Sequence, residues 1–249
     1  MRNIWTIASR EYKQFFISPV AYAVAFLFLV VLGWIFFSNM LTAITYAAYQ
    51  SYAPTVQIVI SPMVTLFLFF LPAITMGALA QEQRMGTMEL LLTAPVKDWE
   101  LVVGKWLGCF MFVLTLLAVT WVFPIALNAM VEPGIDQGLL LSGYLGLVLM
   151  VGAMLAIGVA VSALFSNQLV AFAVNLGIMM IIWFVQAVST TGSATGGLGD
   201  KILTYLNFVD HYVDFYQGLI GVTNIVYYLS VTALALFLGT MFVETRRWR

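Results

Sequence analysis

The two longest intervals of this chain without Asp, Glu, Lys or Arg are Gln14 to Gln81 and Gln137 to Gly199. No other feature limits the possible folds as strongly. Soluble domains carry about 25% charged residues, whereas this chain of 249 residues is 8% charged and 63% hydrophobic. Each interval can hold two membrane spans of about 20 residues. The chain reads as an all-α membrane protein.

Six spans can be drawn: Val20–Leu41, Ile58–Ala80, Trp106–Met130, Leu139–Phe165, Leu169–Ser189 and Gly221–Val243. Pro62, Pro72 and Pro124 fall inside spans, where kinks are expected because neighbouring groups can re-satisfy the freed carbonyls. The first apolar run starts near Val20 with no small-residue cleavage site before it, so it reads as a retained span and not as a signal peptide. Arg2, Arg10, Lys13, Arg84, Lys97, Lys105, Arg246, Arg247 and Arg249 then share one side and Lys201 alone faces the other. Because basic residues gather on the cytoplasmic side, nine against one places both termini and the Glu82–Lys105 loop inside.

Residues 2–17 are not a span. On a helical wheel Ile4, Trp5, Ala8, Tyr12, Phe15 and Phe16 share one face and Asn3, Thr6, Ser9, Arg10, Lys13 and Gln14 the other, with Ile7 and Glu11 breaking the pattern. This predicts a helix lying in the inner headgroup plane, serving either as a plain anchor or as a partner contact through Arg10 and Lys13. In the fourth span, Gly152, Ala156 and Ala160 form one small-residue strip and Gly158, Ser162 and Ser166 another. Such strips permit close helix approach, and packing within the subunit is the expected use.

Chemistry is scarce. Intramembrane ionisable residues mark proton relays and ion paths, and none falls within the spans as drawn, which argues against a secondary transporter. Zinc-protease, serine-hydrolase and aspartate-rich diphosphate motifs are absent, and Thr191–Asp200, "TGSATGGLGD", lacks the Gly-Lys ending of a nucleotide-binding loop. The single cysteine, Cys109, excludes an internal disulfide. Asp210, His211 and Asp214 stand together in an outer segment, where structural hydrogen bonding is favoured over a metal site. Asn175, Met179, Trp183 and Gln186 share one face of the fifth span, either as interhelical contacts or as lining of a substrate pathway.

The charged exception is "EQRMGTMELLLTAPVKDWELVVGK", Glu82 to Lys105. Thr87 can cap a short helix, Pro95 interrupts the chain, and Leu90, Leu91 and Leu92 form an apolar patch rimmed by Glu82, Arg84, Glu89, Lys97 and Asp98, a pattern suited to docking.

On these residues the chain resembles the ABC-2 type permeases, whose inner loop between the second and third spans typically reads E-x-x-x-G-T-x-x-x-L-L-x-[ST]-x-P followed by a Gly-Lys pair. The matching positions are Glu82, Gly86, Thr87, Leu91, Leu92, Thr93 and Pro95, then Gly104 and Lys105, with Pro72 ahead. The amino-terminal "REYKQFFISPVAY" and the last third of the chain extend the resemblance over nearly its whole length, nearest to the gliding-motility and nitrous-oxide-reductase-maturation types.

The resemblance implies a type V exporter-like architecture in one transmembrane domain over residues 1–249: connecting helix 2–17, the six spans, a cytosolic coupling loop 82–103 and an outer loop 190–220. It implies coupling to ATPase subunits through Glu82, Arg84, Gly86, Thr87, Glu89, Leu91, Leu92 and Pro95. ATP and Mg would sit on those partners and no cofactor in this chain, which would not itself be an enzyme. A second permease chain, outer-face accessory proteins, the cytoplasmic membrane of a prokaryote and export of an amphipathic or lipid-like substrate complete the expectation. The rival readings are a membrane scaffold that moves nothing and an intramembrane enzyme acting on lipid, the latter disfavoured by the missing catalytic set.

Overall fold

A computed structural model describes residues 2–47, 55–86, 96–131, 134–191, 205 and 207–247. Among these the regular structure is helical: α1 (Arg2–Phe15), α2 (Pro19–Ala47), α3 (Gln57–Thr75), α4 (Ala80–Arg84), α5 (Asp98–Thr120), α6 (Val122–Met130), α7 (Gln137–Leu164), α8 (Gln168–Thr191), α9 (Asp210–Tyr216) and α10 (Val222–Arg247). Six stretches are long and apolar enough to cross a membrane, with α3 and α4 together making the second and α5 and α6 the third. The protein is an all-helical membrane protein with six spans behind an amphipathic helix.

The fourth span, α7, is the axis of the bundle and packs against α3, α5, α8, α9 and α10. Its small residues permit this crowding. A Cβ on Gly158 would collide with Thr75 Oγ1, and one on Gly239 of α10 would lie 3.3 Å from Ala160 Cα. Trp106 of α5 donates its indole N–H to the Gly152 carbonyl at 2.9 Å. Both strips are therefore used inside the subunit. Asp136 starts α7 by accepting from the Gly138 and Leu139 amides at 2.8 and 3.2 Å, satisfying donors that a helix start leaves free.

The prolines act at two interruptions. Pro124 has no N–H to return to Thr120, and the third span is divided just there, between α5 and α6 at Trp121. In the second span Pro72 lies one turn before the end of α3, and the chain turns through residues 76–79 before resuming as α4. Ser162 of α7 closes that break. Its hydroxyl accepts from the Leu79 and Ala80 amides at 3.1 and 3.0 Å and donates to the Met76 carbonyl at 3.2 Å, while Gln83 donates to the Ala163 carbonyl at 2.9 Å. Gly86, at φ +70, ends α4 in a backbone conformation that other residues seldom adopt.

Two sequence expectations are corrected. The helix of the third span begins at Asp98, not Trp106, so residues 98–103 belong to a helix and not to the coupling loop, and Glu100 and Lys105 are buried on that helix. An isolated charge signals a loop on a hydropathy scale, but a paired charge can sit on a buried helix face. The buried face of α1 is also rotated from the predicted one. Trp5 is exposed, and Ile7 and Glu11, read as breaks in the pattern, point into the protein. α5 offers glycine there, which removes the steric barrier to a broad contact.

The Ser162 bridge supports a direct test. Ser162→Ala leaves two buried amides and a carbonyl without their partner, at about 1–3 kcal/mol for an unsatisfied buried group. Thermal unfolding in detergent should show a clearly lower midpoint for this variant, and no change for Ser166→Ala, whose side chain is exposed.

Candidate functional site: a charge ring at one end of the bundle

α1 lies along the first half of α5. The contacts step evenly. Asn3 Nδ2 donates to Glu100 Oε2 at 3.1 Å, Ile7 meets Gly104 and Glu11 meets Gly108, and the Phe15 and Phe112 rings stack at 4.7 Å. Both helices advance by one turn per contact, so they run side by side in the same direction. Gly104 and Gly108 form the groove that admits α1. A Cβ on Gly108 would fall 2.5 Å from the Glu11 Cβ, and one on Gly104 would fall 2.8 Å from Ile7. Tyr12 adds a hydroxyl contact of 3.0 Å to Thr115. The amide of Lys97 also donates to Glu100 Oε2, at 3.2 Å, so one carboxylate both caps α5 and holds the start of α1.

Within this contact four charges close a ring. Lys105 Nζ lies 3.0 Å from Glu11 Oε1 and 2.8 Å from Glu82 Oε1; Arg10 Nη2 lies 3.1 and 3.3 Å from the same two oxygens. The signs alternate around the ring, and the members come from α1, α4 and α5. The Lys105 side chain is 2% exposed, those of Glu11 and Glu82 are 11% and 13%, and Arg10 reaches the surface at 53%. An ammonium group this deep is tolerable only with close opposite charge, and here two carboxylates supply it. The ring borders a cavity of about 650 Å³ lined by α1, α2, the end of α3, α4 and Gln168.

A second polar node lies deeper. Asn175 of α8 donates to Thr75 Oγ1 at 3.1 Å, and Thr75 donates in turn to the Leu71 carbonyl at 3.0 Å. Gly158 leaves the space that both side chains occupy.

The residues singled out from sequence scatter over these features. Glu82 is in the ring, Arg84 and Gly86 are exposed at the end of α4, and Thr87, Glu89, Leu91, Leu92 and Pro95 lie outside the described residues. Arg10 joins the ring, whereas Lys13 is exposed in the last turn of α1. Asn175 and Met179 are buried and Trp183 packs against the core; the side chain of Gln186 lies outside the described residues. Around α9, Asp210 accepts a hydrogen bond from Asn207, Asp214 accepts from Asn224 at 2.7 Å, and His211 contacts Asn224 Oδ1 at 2.8 Å with its ring stacked on Tyr227 at 3.9 Å. Partial burial pushes the Asp210 carboxyl above its ordinary range, opposed by the nearby His211 and the Asn207 bond. Among the described residues no group of three or more His, Cys, Asp or Glu is arranged to hold a metal ion.

Sequence reasoning missed Glu11 and Lys105 as site residues. The signals were present: a lone acid within an otherwise basic and apolar amphipathic helix, and Gly-x-x-x-Gly at 104 and 108 flanking a lysine.

Six spans, an amphipathic helix docked on the third and a charged joint at one end of the second define a multi-pass membrane protein. The family model for ABC-2 family transporter proteins matches residues 5–245, and the chain belongs to that family. A comparison with curated proteins finds no match. The protein is a membrane permease subunit of an ABC transporter; its family is a membrane transport component that is not itself catalytic, and membership implies ABC ATPase partners.

The ring predicts a particular pattern of stabilities. Lys105→Met leaves Glu11 and Glu82 facing one another and should cost about 3–5 kcal/mol, the usual result of breaking a buried pair from one side. Adding Glu11→Gln and Glu82→Gln should recover most of that loss. Thermal midpoints of the purified chain in detergent measure both, and a neutral Lys105→Met would contradict the ring.

Proposed function

We propose that this permease forms one half of a dimeric export pathway and that the charge ring couples it to its ATPase. In this reading the segment 82–95 seats on an ATPase subunit. Movement of that segment on nucleotide closure pulls Glu82, and the ring shares the displacement among α1, α4 and α5. The second and third spans then move together, because α4 continues the second and Lys105 belongs to the third.

The observation that carries the reading is the position of Glu82, which lies at the mouth of the family-like loop and contacts two other elements through one carboxylate oxygen. The nine-to-one distribution of basic residues supports a cytoplasmic location for this end and for both termini, as expected in the cytoplasmic membrane of a prokaryote. Motif likeness supports a subtype near the gliding-motility and nitrous-oxide-reductase-maturation permeases. An amphipathic or lipid-like cargo is supported by the charge distribution on the described span helices, where Glu82, Arg84, Asp98, Glu100, Lys105 and Glu244 lie toward one end of their spans and the middles carry no charge.

Affinity capture of the tagged chain from gently solubilised native membranes, with photolabelling by azido-ATP, tests the coupling. A nucleotide-labelled partner should be recovered with the unaltered chain and lost or strongly reduced with the Glu89→Ala, Leu91→Ala double variant, while membrane insertion stays normal. Recovery of that partner at an undiminished level with the double variant would overturn the loop's role.

A further inference from the structure

We propose that the cavity beside the charge ring is a binding site for an amphiphile with an uncharged or zwitterionic head group. The assignment concerns this chain alone and stands whether or not the ring couples to an ATPase.

The volume, about 650 Å³, falls within the roughly 300–1,000 Å³ typical of small-molecule sites. More telling is how its lining is graded. One end is formed by Ala21 and Val24 of α2 with Ala73 and Ile74 of α3, all in charge-free stretches of span. The other is formed by Arg10, Gln14, Gln81 and Gln168, at the end of the bundle where α1 lies. Ordered water needs two to four polar partners, so it can occupy the polar part of the cavity but not the apolar wall of α2 and α3. In a membrane protein, an acyl or alkyl chain entering from the bilayer satisfies such a wall.

Charge selects the head. All four members of the ring line the cavity, two acids and two bases that already neutralise one another at 2.8–3.3 Å. An anionic head approaching Arg10 would come within reach of the two carboxylates that share its charge, so attraction and repulsion nearly cancel. The remaining polar complement is amide: Gln14, Gln81 and Gln168 can donate and accept. Gln81 and Gln168 also approach each other across Gly77, where a Cβ would lie 3.3 Å from Gln81 Oε1 and 3.7 Å from Gln168 Nε2. This arrangement suits a hydroxyl, amide or zwitterionic head better than one with net charge. Because the head rests against the ring, occupancy bears on the joint among α1, α4 and α5.

The test uses the full chain in phosphatidylcholine vesicles containing phosphatidylethanolamine with a photoactivatable diazirine on one acyl chain, and in parallel its phosphatidylglycerol counterpart. After illumination, adducts are mapped by peptide mass spectrometry. The phosphatidylethanolamine probe should label residues 20–24 and 73–78 several-fold above the lipid-facing surface of α10 around Leu234 and Phe237, which are exposed. Phosphatidylglycerol should label the cavity less. Ala21→Trp and, separately, Ala73→Phe fill the apolar end and should each reduce cavity adducts several-fold while leaving α10 labelling unchanged. Chase with excess unlabelled lipid separates two sources of the same chemistry: fast exchange marks a passing cargo and slow exchange a resident lipid, and either supports the site. Cavity labelling no higher than on α10, labelling that survives both filling variants, or a preference for phosphatidylglycerol would overturn the proposal.

Discussion

A buried ammonium group fixes the geometry at one end of this protein. Lys105 is 2% exposed on a helix that belongs to a membrane span, and the desolvation of such a charge is too costly to leave uncompensated. The compensating carboxylates come from elements far apart in sequence, Glu11 on α1 and Glu82 on α4. Folding can satisfy Lys105 only by bringing the amino-terminal helix and the α4 end of the second span to the third. The Gly104 and Gly108 groove makes that approach sterically possible, and Arg10 balances the second unit of negative charge.

The rest of the bundle lets this joint differ from the spans it joins. α4 does not continue α3; it is a separate segment held to α7 through Ser162 and through the contact of Gln83 with Ala163. A hydroxyl that bonds both sides of a helix break satisfies the backbone without making the two helices one rigid rod. Deeper in the bundle, Thr75 and Asn175 meet over Gly158, which ties the end of α3 to the fourth and fifth spans. The second span thus has a first part anchored by the Thr75–Asn175 contact and a second part tied both to α7 and to the charge ring.

Much of this was legible in the sequence because lipid imposes simple rules. The charge-free intervals marked the spans, Pro72 and Pro124 marked the interruptions whereas Pro62 lies within an unbroken α3, and the strips of Gly152 and Gly158 marked a crowded central helix. The loop motif around Glu82 and Gly86 pointed to the family before any geometry was known. What could not be read was pairing. Lys105 read as the end of a loop because a hydropathy scale assigns it the cost of an isolated charge, and nothing local reveals that Glu11 and Glu82 arrive beside it. Glu11 read as a defect in an amphipathic pattern for the same reason. The rotation of α1 followed from glycines on another helix, which a helical wheel drawn for α1 alone does not include. Asn175 and Met179 share one face of the helix by their spacing, but the choice between neighbouring helix and pathway depends on which residues oppose them.

The central claim is that α1, α4 and α5 move as one joint through the charge ring, and hydrogen–deuterium exchange of the Glu82→Gln variant tests it most directly. This change preserves size and leaves Lys105 its bond to Glu11, so it loosens one corner of the ring without abolishing the fold. The account predicts faster amide exchange in α1 and the first turns of α5 as well as in α4, although residues 2–15 are distant from position 82 in sequence. Exchange that rises in α4 alone, with α1 and α5 unchanged, would contradict it.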